Sequence, residues 1–350
     1  MPTLYLREAL GLLLKTTPIL WVRLGSYALL GLGLLVYFAV AGGVAWLLGQ
    51  LWSVLGLIVF VAAFGGAWGL VRWGTRYYFY LLKAAHTAVM TEFIVHGRGP
   101  DGSQIEYGKQ QVTDRFGDTS IMFAVDQVLD GVVKAINRTF ATVTNLLPIP
   151  GMDALQTFVR QVSRFSTTYI DEAILSRAYA QKEENVWAVA KDGVILYAQC
   201  WKPVLANAVA LTLLGYIEFL AFLILLGLPA LAVAAVVPSL SLVLGIGVLV
   251  GAWMLKLAVA DAFALAATLL AYHRTTAGMT PDPAWQARLT QVSEDFRELA
   301  EKATSAMRRN GRASASEEGG RVVDTVARSV GVRGRGRPDA SAAGEEPEQR

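Results

Sequence analysis

Three ionisable residues stand inside otherwise apolar sequence: Glu218 in LLGYIEFLAFL, and Lys256 and Asp261 in WMLKLAVADAFAL. A charge at bilayer depth costs about 2.5–3.5 kcal/mol on insertion scales, so such a side chain faces a protein interior, a partner or water. Two kinds of chemistry fit. One is a neutral or hydrogen-bonded Glu218 at a helix contact; the other is an ion or proton pathway that Glu218 lines. A Glu218–Lys256 pair requires the two helices to be offset by a turn or two. Lys256 can carry its charge to the membrane surface along its own stem, and Asp261 falls at or beyond that surface.

No other constellation carries a reaction. The histidines are His86, His96 and His273. Glu92 and His96 are four apart on one helical face, but no second pair completes a metal site. There is no phosphate-binding loop, dinucleotide fingerprint, HExxH or GxSxG elbow. No catalytic, cofactor-binding or metal-ligating residue is assigned, and the chain reads as non-enzymatic. The single cysteine, Cys200, excludes a disulfide within the chain and reads as a small apolar residue near the membrane surface.

The charged residues are positioned by four long apolar segments: Leu24–Leu48 and Leu51–Val71, then Val204–Leu228 and Leu240–Leu270. Each offers roughly 20 or more residues, enough at ~1.5 Å per residue to span a hydrocarbon core of ~30 Å. Hydrophobic residues make up 54% of the 350 and charged residues 17%, well below the ~25% charged of a soluble domain. The predicted fold is all-α, with four spans in two hairpins plus interfacial and cytoplasmic amphipathic helices. Gly65, Gly66 and Gly69 in the second segment, and Gly247 and Gly251 in the fourth, are candidates for close helix packing.

Neither turn, around Gly49–Gln50 or Gly227–Pro238, carries Lys or Arg, whereas Lys15, Arg23, Arg72, Arg76, Lys83, Lys191, Lys202 and Arg274 flank the hairpins. Positive charge marks the cytoplasmic side. The expected location is therefore a plasma (cytoplasmic) membrane, multi-pass, with both termini and the middle region inside. Arg7 and Lys15 interrupt the first apolar run, so the N-terminus reads as a retained anchor rather than a cleaved signal. The net charge of +3 gives no argument for nucleic acid.

The sequence divides into an interfacial helix (1–23), hairpin 1 (24–72), a helical region (73–202), hairpin 2 (203–271), an amphipathic helix (284–308) and a disordered tail (310–350). Each hairpin follows the same order, REALGLLLKTTPIL at 7–20 and KDGVILYAQCWKPVL at 191–205: an apolar-rich helix, a break, a proline and a span. This reads as a parallel repeat of an in-plane interfacial helix with a hairpin. WGTRYYFYLLKAAHTAVMTEFIV continues as helix to about Val95, and 96–118 reads as a loop or short hairpin. Val125, Val128, Leu129, Val132 and Ile136, and then Leu155, Val162, Tyr169, Ala173 and Ile174, recur at helical spacing around Pro148-Ile149-Pro150-Gly151, predicting an αα-hairpin over 120–180. Trp285, Leu289, Val292, Phe296, Leu299 and Ala303 form a similar stripe.

These stripes need covering. The leading expectation is an oligomeric membrane scaffold whose cytoplasmic helices dock a second copy or a protein partner, with the lipid bilayer as its other partner. The alternative is a channel or transporter with Glu218 lining the path. The order YIDEAILSRAY, AKDGVILYAQ and KLAVADAFALAATLLAYH resembles the C-terminal part of choline-transporter-like proteins. The chain departs from them in reading AYHRTTAG where a charged ending belongs, and neither function nor residue role is carried over.

Overall fold

A computed structural model describes residues 5–74, 78–116, 124–125, 127–129, 131–132, 169, 171–181 and 185–309. They are almost entirely helical, and no strand occurs among them. The chain divides into two compact units, Met1–Ala303 and Thr304–Arg350. In the second, residues 304–309 are described and are helical. The predicted tail 310–350 and the proline linker 148–151 lie outside the described residues.

Among the described residues, three helical runs are long and apolar enough to cross a membrane: Thr17–Leu51, Ala210–Val236 and Pro238–Thr276. A shorter apolar stretch, Ser53–Gly69, follows the first. We number the helices α1 (Leu6–Lys15), α2 (Thr17–Leu51), α3 (Ser53–Gly74), α4 (Tyr80–His96), α5 (Gln104–Phe116), α6 (171–180), α7 (Val186–Gln199), α8 (Trp201–Val236), α9 (Ser241–Leu255), α10 (Asp261–Thr276), α11 (Pro283–Val292) and α12 (294–309).

Helices α2 and α3 pack against each other on either side of Trp52. The Tyr37 hydroxyl donates to the Ala63 carbonyl at 2.9 Å. A Cβ added at Gly56 would lie 2.5 Å from the Ala45 carbonyl oxygen, so the two backbones touch near the turn. α8 and α9 pack in the same manner, with Gly251 facing Leu226 Cδ1 at 2.9 Å and Phe219 edge-on to Trp253. The two pairs meet along α2 and α9, where Met254 Cγ would lie 2.9 Å from a Cβ at Gly31. Of the packing glycines expected from sequence, Gly251 makes a close approach. At Gly65, Gly69 and Gly247 a Cβ would meet nothing within 4 Å, and Gly66 would meet the Tyr37 hydroxyl at 3.3 Å.

Several expected boundaries shift. α8 does not stop at Leu228 but runs through Pro229 to Val236, and the turn is the short 3₁₀ segment Pro238–Leu240. α4 ends at Gly97, whose φ of 72° is open to glycine at little cost. Residues 104–116, read as part of a loop, form α5. Ser103 Oγ accepts from the Glu106 N–H at 3.4 Å and supplies an N-terminal cap. The single tail helix expected over 284–308 is two helices, because Ser293 is extended (φ −132°, ψ 120°) and its Oγ caps the N–H of Phe296.

Beyond the hairpins, α1, α4, α6, α7, α10 and Val125, Val128, Leu129 and Val132 share a single core with α11 and the first part of α12. The repeated entry segments are alike in backbone. Thr16 (φ −98°, ψ 21°) and Cys200 (φ −112°, ψ 25°) each donate an N–H to the carbonyls three and four residues back, and each leads into a long apolar helix. Their surroundings differ. α1 leaves Leu10 and Leu14 exposed on one side, whereas α7 is buried from Val194 to Ala198. α7 is therefore a core helix and not an in-plane surface helix. An apolar stretch such as GVILYA satisfies either environment, so composition could not separate them.

Candidate functional site

The last apolar run changes environment midway. Leu242, Val243 and Leu249 in α9 are exposed on their apolar sides, whereas Ala262 and Ala264–Tyr272 in α10 are buried in the helical core. Between the two, Lys256–Ala260 forms a π-turn in which the Asp261 N–H bonds the Lys256 carbonyl five residues back. Such single turns mark functional sites often enough to direct attention there.

The turn has a chemical consequence. On a regular α-helix residues five apart sit about 140° round from each other. The extra residue of the π-turn brings Lys256 and Asp261 to one face, and Lys256 Nζ lies 3.0 Å from Asp261 Oδ1. Both side chains are about three-quarters buried. Glu218 joins them from α8. Glu218, Lys256 and Asp261 line one cavity with Leu211, Gly215 and Phe263, and its volume of about 10 Å³ has room for about one water. The structure thus brings together the three ionisable residues that stood out in the apolar sequence.

Glu218 lies 18 residues before the end of α8 at Val236, about 27 Å at ~1.5 Å per residue. It sits in the half of the hairpin nearest the helical core.

Further charges back this cavity. Arg23 in α2 is 3% exposed, and its Nη2 donates to the Leu257 carbonyl in the π-turn at 3.0 Å. The Tyr169 hydroxyl is hydrogen-bonded to Asp261. Lys83 lies over the Tyr169 ring at 5.1 Å and is ion-paired with Glu172. Sequence reasoning noted Arg23 and Lys83 only as topology markers. The signal that could have placed Arg23 is its position nearly two turns inside the start of α2, an otherwise apolar helix.

His86 joins the helices at this end of the hairpins. It is fully buried, and its Nε2 lies 2.9 Å from Thr16 Oγ1, which itself donates to the Leu12 carbonyl. The two side chains share this hydrogen bond, and Nδ1 meets no hydrogen-bond partner among the described residues. Burial, and then the nearby Arg23 charge, hold His86 well below the usual imidazole range. A neutral buried imidazole must take up a proton when the chain unfolds in acid, so stability is full above the unfolded value of about 6.5 and falls as pH drops below it. The apparent melting temperature should decline as the pH falls below about 6.5. His86→Gln, which keeps a hydrogen-bonding group for Thr16, should lessen that decline, with buried His273, held down to about 4, supplying the rest; an unchanged pH profile would rule out this role. His96 lies 3.2 Å from Glu92, and no group of metal-ligating side chains occurs among the described residues.

The stripes expected to dock partners are, where described, turned into the chain's own core. Val125, Val128, Leu129, Val132, Ala173, Ile174, Leu289, Phe296, Leu299 and Ala303 are all buried. The chain matches no family model, and neither a curated protein nor a solved structure is significantly similar to it.

Proposed function

We propose that the chain crosses a plasma membrane four times as two hairpins, α2–α3 and α8–α9, with the helical core and both termini on the cytoplasmic side, and that it provides a non-enzymatic pathway for an ion or small polar solute. The cavity lined by Glu218, Lys256 and Asp261 at the π-turn carries this reading. Ionisable groups are retained at this depth at a cost of several kcal/mol in all, and a purely structural contact between α8 and α9 would be met by apolar side chains. The cavity is closed around room for about one water, so passage requires α8 and α9 to part near Gly215. Burial of the apolar stripes favours this reading over a scaffold, which would present them.

Flux measured in proteoliposomes tests the reading. Wild-type protein should carry at least one of a panel of inorganic cations, anions and small zwitterions. Glu218→Gln should cut that flux by at least about tenfold, the effect of ~1.4 kcal/mol on the limiting step, while the size-exclusion profile stays unchanged. Absence of flux for the whole panel with well-folded protein would sink the proposal.

A further inference from the structure

We infer that the species carried through the Glu218 cavity is a proton, handed between Glu218 and the helical core by way of Asp261 and the Tyr169 hydroxyl. This rests on the reading of the cavity as a pathway, and the proton is one of the inorganic cations that reading admits.

Space and charge both select the cargo. The cavity of about 10 Å³ has room for about one water. A hydrated metal ion or a zwitterion is larger than that. A bare metal cation would have to displace the Lys256 ammonium, which already lies 3.0 Å from Asp261 Oδ1. An anion would meet two carboxylates for one ammonium. A proton needs no space of its own, only groups within reach of one another that take it up and release it. Ionisable side chains buried at membrane depth commonly serve as such relays.

The groups beyond the cavity continue the chain. One water in the cavity would join the Glu218 carboxyl to Asp261, which line it together. Asp261 is hydrogen-bonded to the hydroxyl of Tyr169, a residue 3% exposed. Lys83 Nζ lies 5.1 Å from the centre of the Tyr169 ring and is ion-paired with Glu172 Oε1. Glu172 is 5% exposed, and its Oε2 is buried with no hydrogen-bond partner among the described residues. A carboxylate needed only to hold α6 in place would have both oxygens met. Arg23 and Tyr27 face the same charges from α2, His86 faces Arg23 from α4, and Asp171 Oδ1 accepts from the Glu172 N–H. With Lys256, Lys83 and Arg23 beside the carboxylates, an ionised carboxylate is never left uncompensated. Outward, Tyr169 gives its hydroxyl proton to Asp261 as its oxygen takes another from the side of Lys83 and Glu172, and Asp261 passes its proton through water to Glu218. At each transfer one bond to hydrogen breaks as the next forms. Inward, the order reverses.

Proteoliposomes with a pH-sensitive dye trapped inside test the chain. A pH step is imposed while potassium and valinomycin hold the membrane potential at zero. Wild-type protein should dissipate the step faster than protein-free vesicles do. Tyr169→Phe keeps the ring beside Lys83 and removes only the hydroxyl. It should slow the protein-dependent rate by at least about tenfold, within the ~10²–10⁴-fold that a positioned proton-transfer group contributes. Glu172→Gln should slow it likewise and reads the chain at a second point, both variants keeping the wild-type size-exclusion profile. Tyr107→Phe, at a phenol that donates to Glu92 Oε2 at 2.7 Å and lies outside the chain, should match wild type. An unchanged proton rate in either Tyr169→Phe or Glu172→Gln would overturn the proposal. Movement of a metal cation or zwitterion without protons would overturn it too, while leaving the pathway standing. Vesicles that pass no species at all would sink both.

Discussion

Replacing Asp261 with Asn should destabilise the protein by about 2–3 kcal/mol, less than the ~3–5 expected when a buried ion pair loses one partner outright. The reason for the discount is Glu218. Lys256 and Asp261 pair at 3.0 Å, but Glu218 lines the same cavity and can take up part of the ammonium's charge. Asn keeps an oxygen for the Tyr169 hydroxyl, so the substitution isolates the charge from the hydrogen bond. Removing both carboxylates, as Glu218→Gln/Asp261→Asn, should leave Lys256 with no counter-charge in the cavity and reach the full ~3–5 kcal/mol. Adding Lys256→Met to that double variant should then recover most of the loss, because the uncompensated charge has gone. Denaturant or thermal unfolding in a fixed detergent gives the ordering. A double variant no less stable than Asp261→Asn would mean that the three groups do not share one electrostatic balance.

That balance was only half legible in the sequence. Glu218, Lys256 and Asp261 stood out because an ionisable residue in an apolar run has no cheap environment. Their meeting did not, since Lys256 and Asp261 are five apart and point away from each other on any regular helix. The π-turn that unites them has no composition of its own. Helix type was clear throughout the apolar runs, but their ends were not. Pro229 reads as a stop and is carried inside α8. The segment AFALAATLLAY reads as membrane span, yet it lies in α10 within the protein core. Lipid and a packed interior ask for the same apolar side chains, so hydropathy cannot say where one gives way to the other. The tail stripe shows the same limit. Leu289, Phe296 and Leu299 demanded a cover, and the spacing alone could not say that the cover was the chain itself.

Gly193→Val should prevent stable folding of the helical core. A glycine within a helix normally costs about 1 kcal/mol relative to alanine, so a larger residue would ordinarily help. Here the sign reverses, because a Cβ at this position would lie 2.7 Å from Ile174 Cγ2 and 3.1 Å from the Tyr272 hydroxyl. Those contacts belong to α6 and α10, which close on α7 from different elements, so no single side chain can give way to make room. The Tyr272 hydroxyl also donates to the Gly193 carbonyl at 3.0 Å from a fully buried ring. Displacing it loses packing worth ~1–3 kcal/mol and strands a buried hydroxyl at a further ~1–3 kcal/mol. Gly193→Ala should be milder, since its helix propensity offsets part of the clash. Gly11→Ala serves as the control, because a Cβ there meets nothing within 4 Å and should be neutral or mildly stabilising. The readout is the yield of monodisperse protein in detergent and its apparent melting temperature. A Gly193→Val protein that matches wild type in both would show that α6, α7 and α10 do not converge at this glycine. The consequence would reach the membrane site as well, because α10 begins at Asp261: the packing that fixes Gly193 against Tyr272 also holds the helix that presents Asp261 to Lys256 and Glu218.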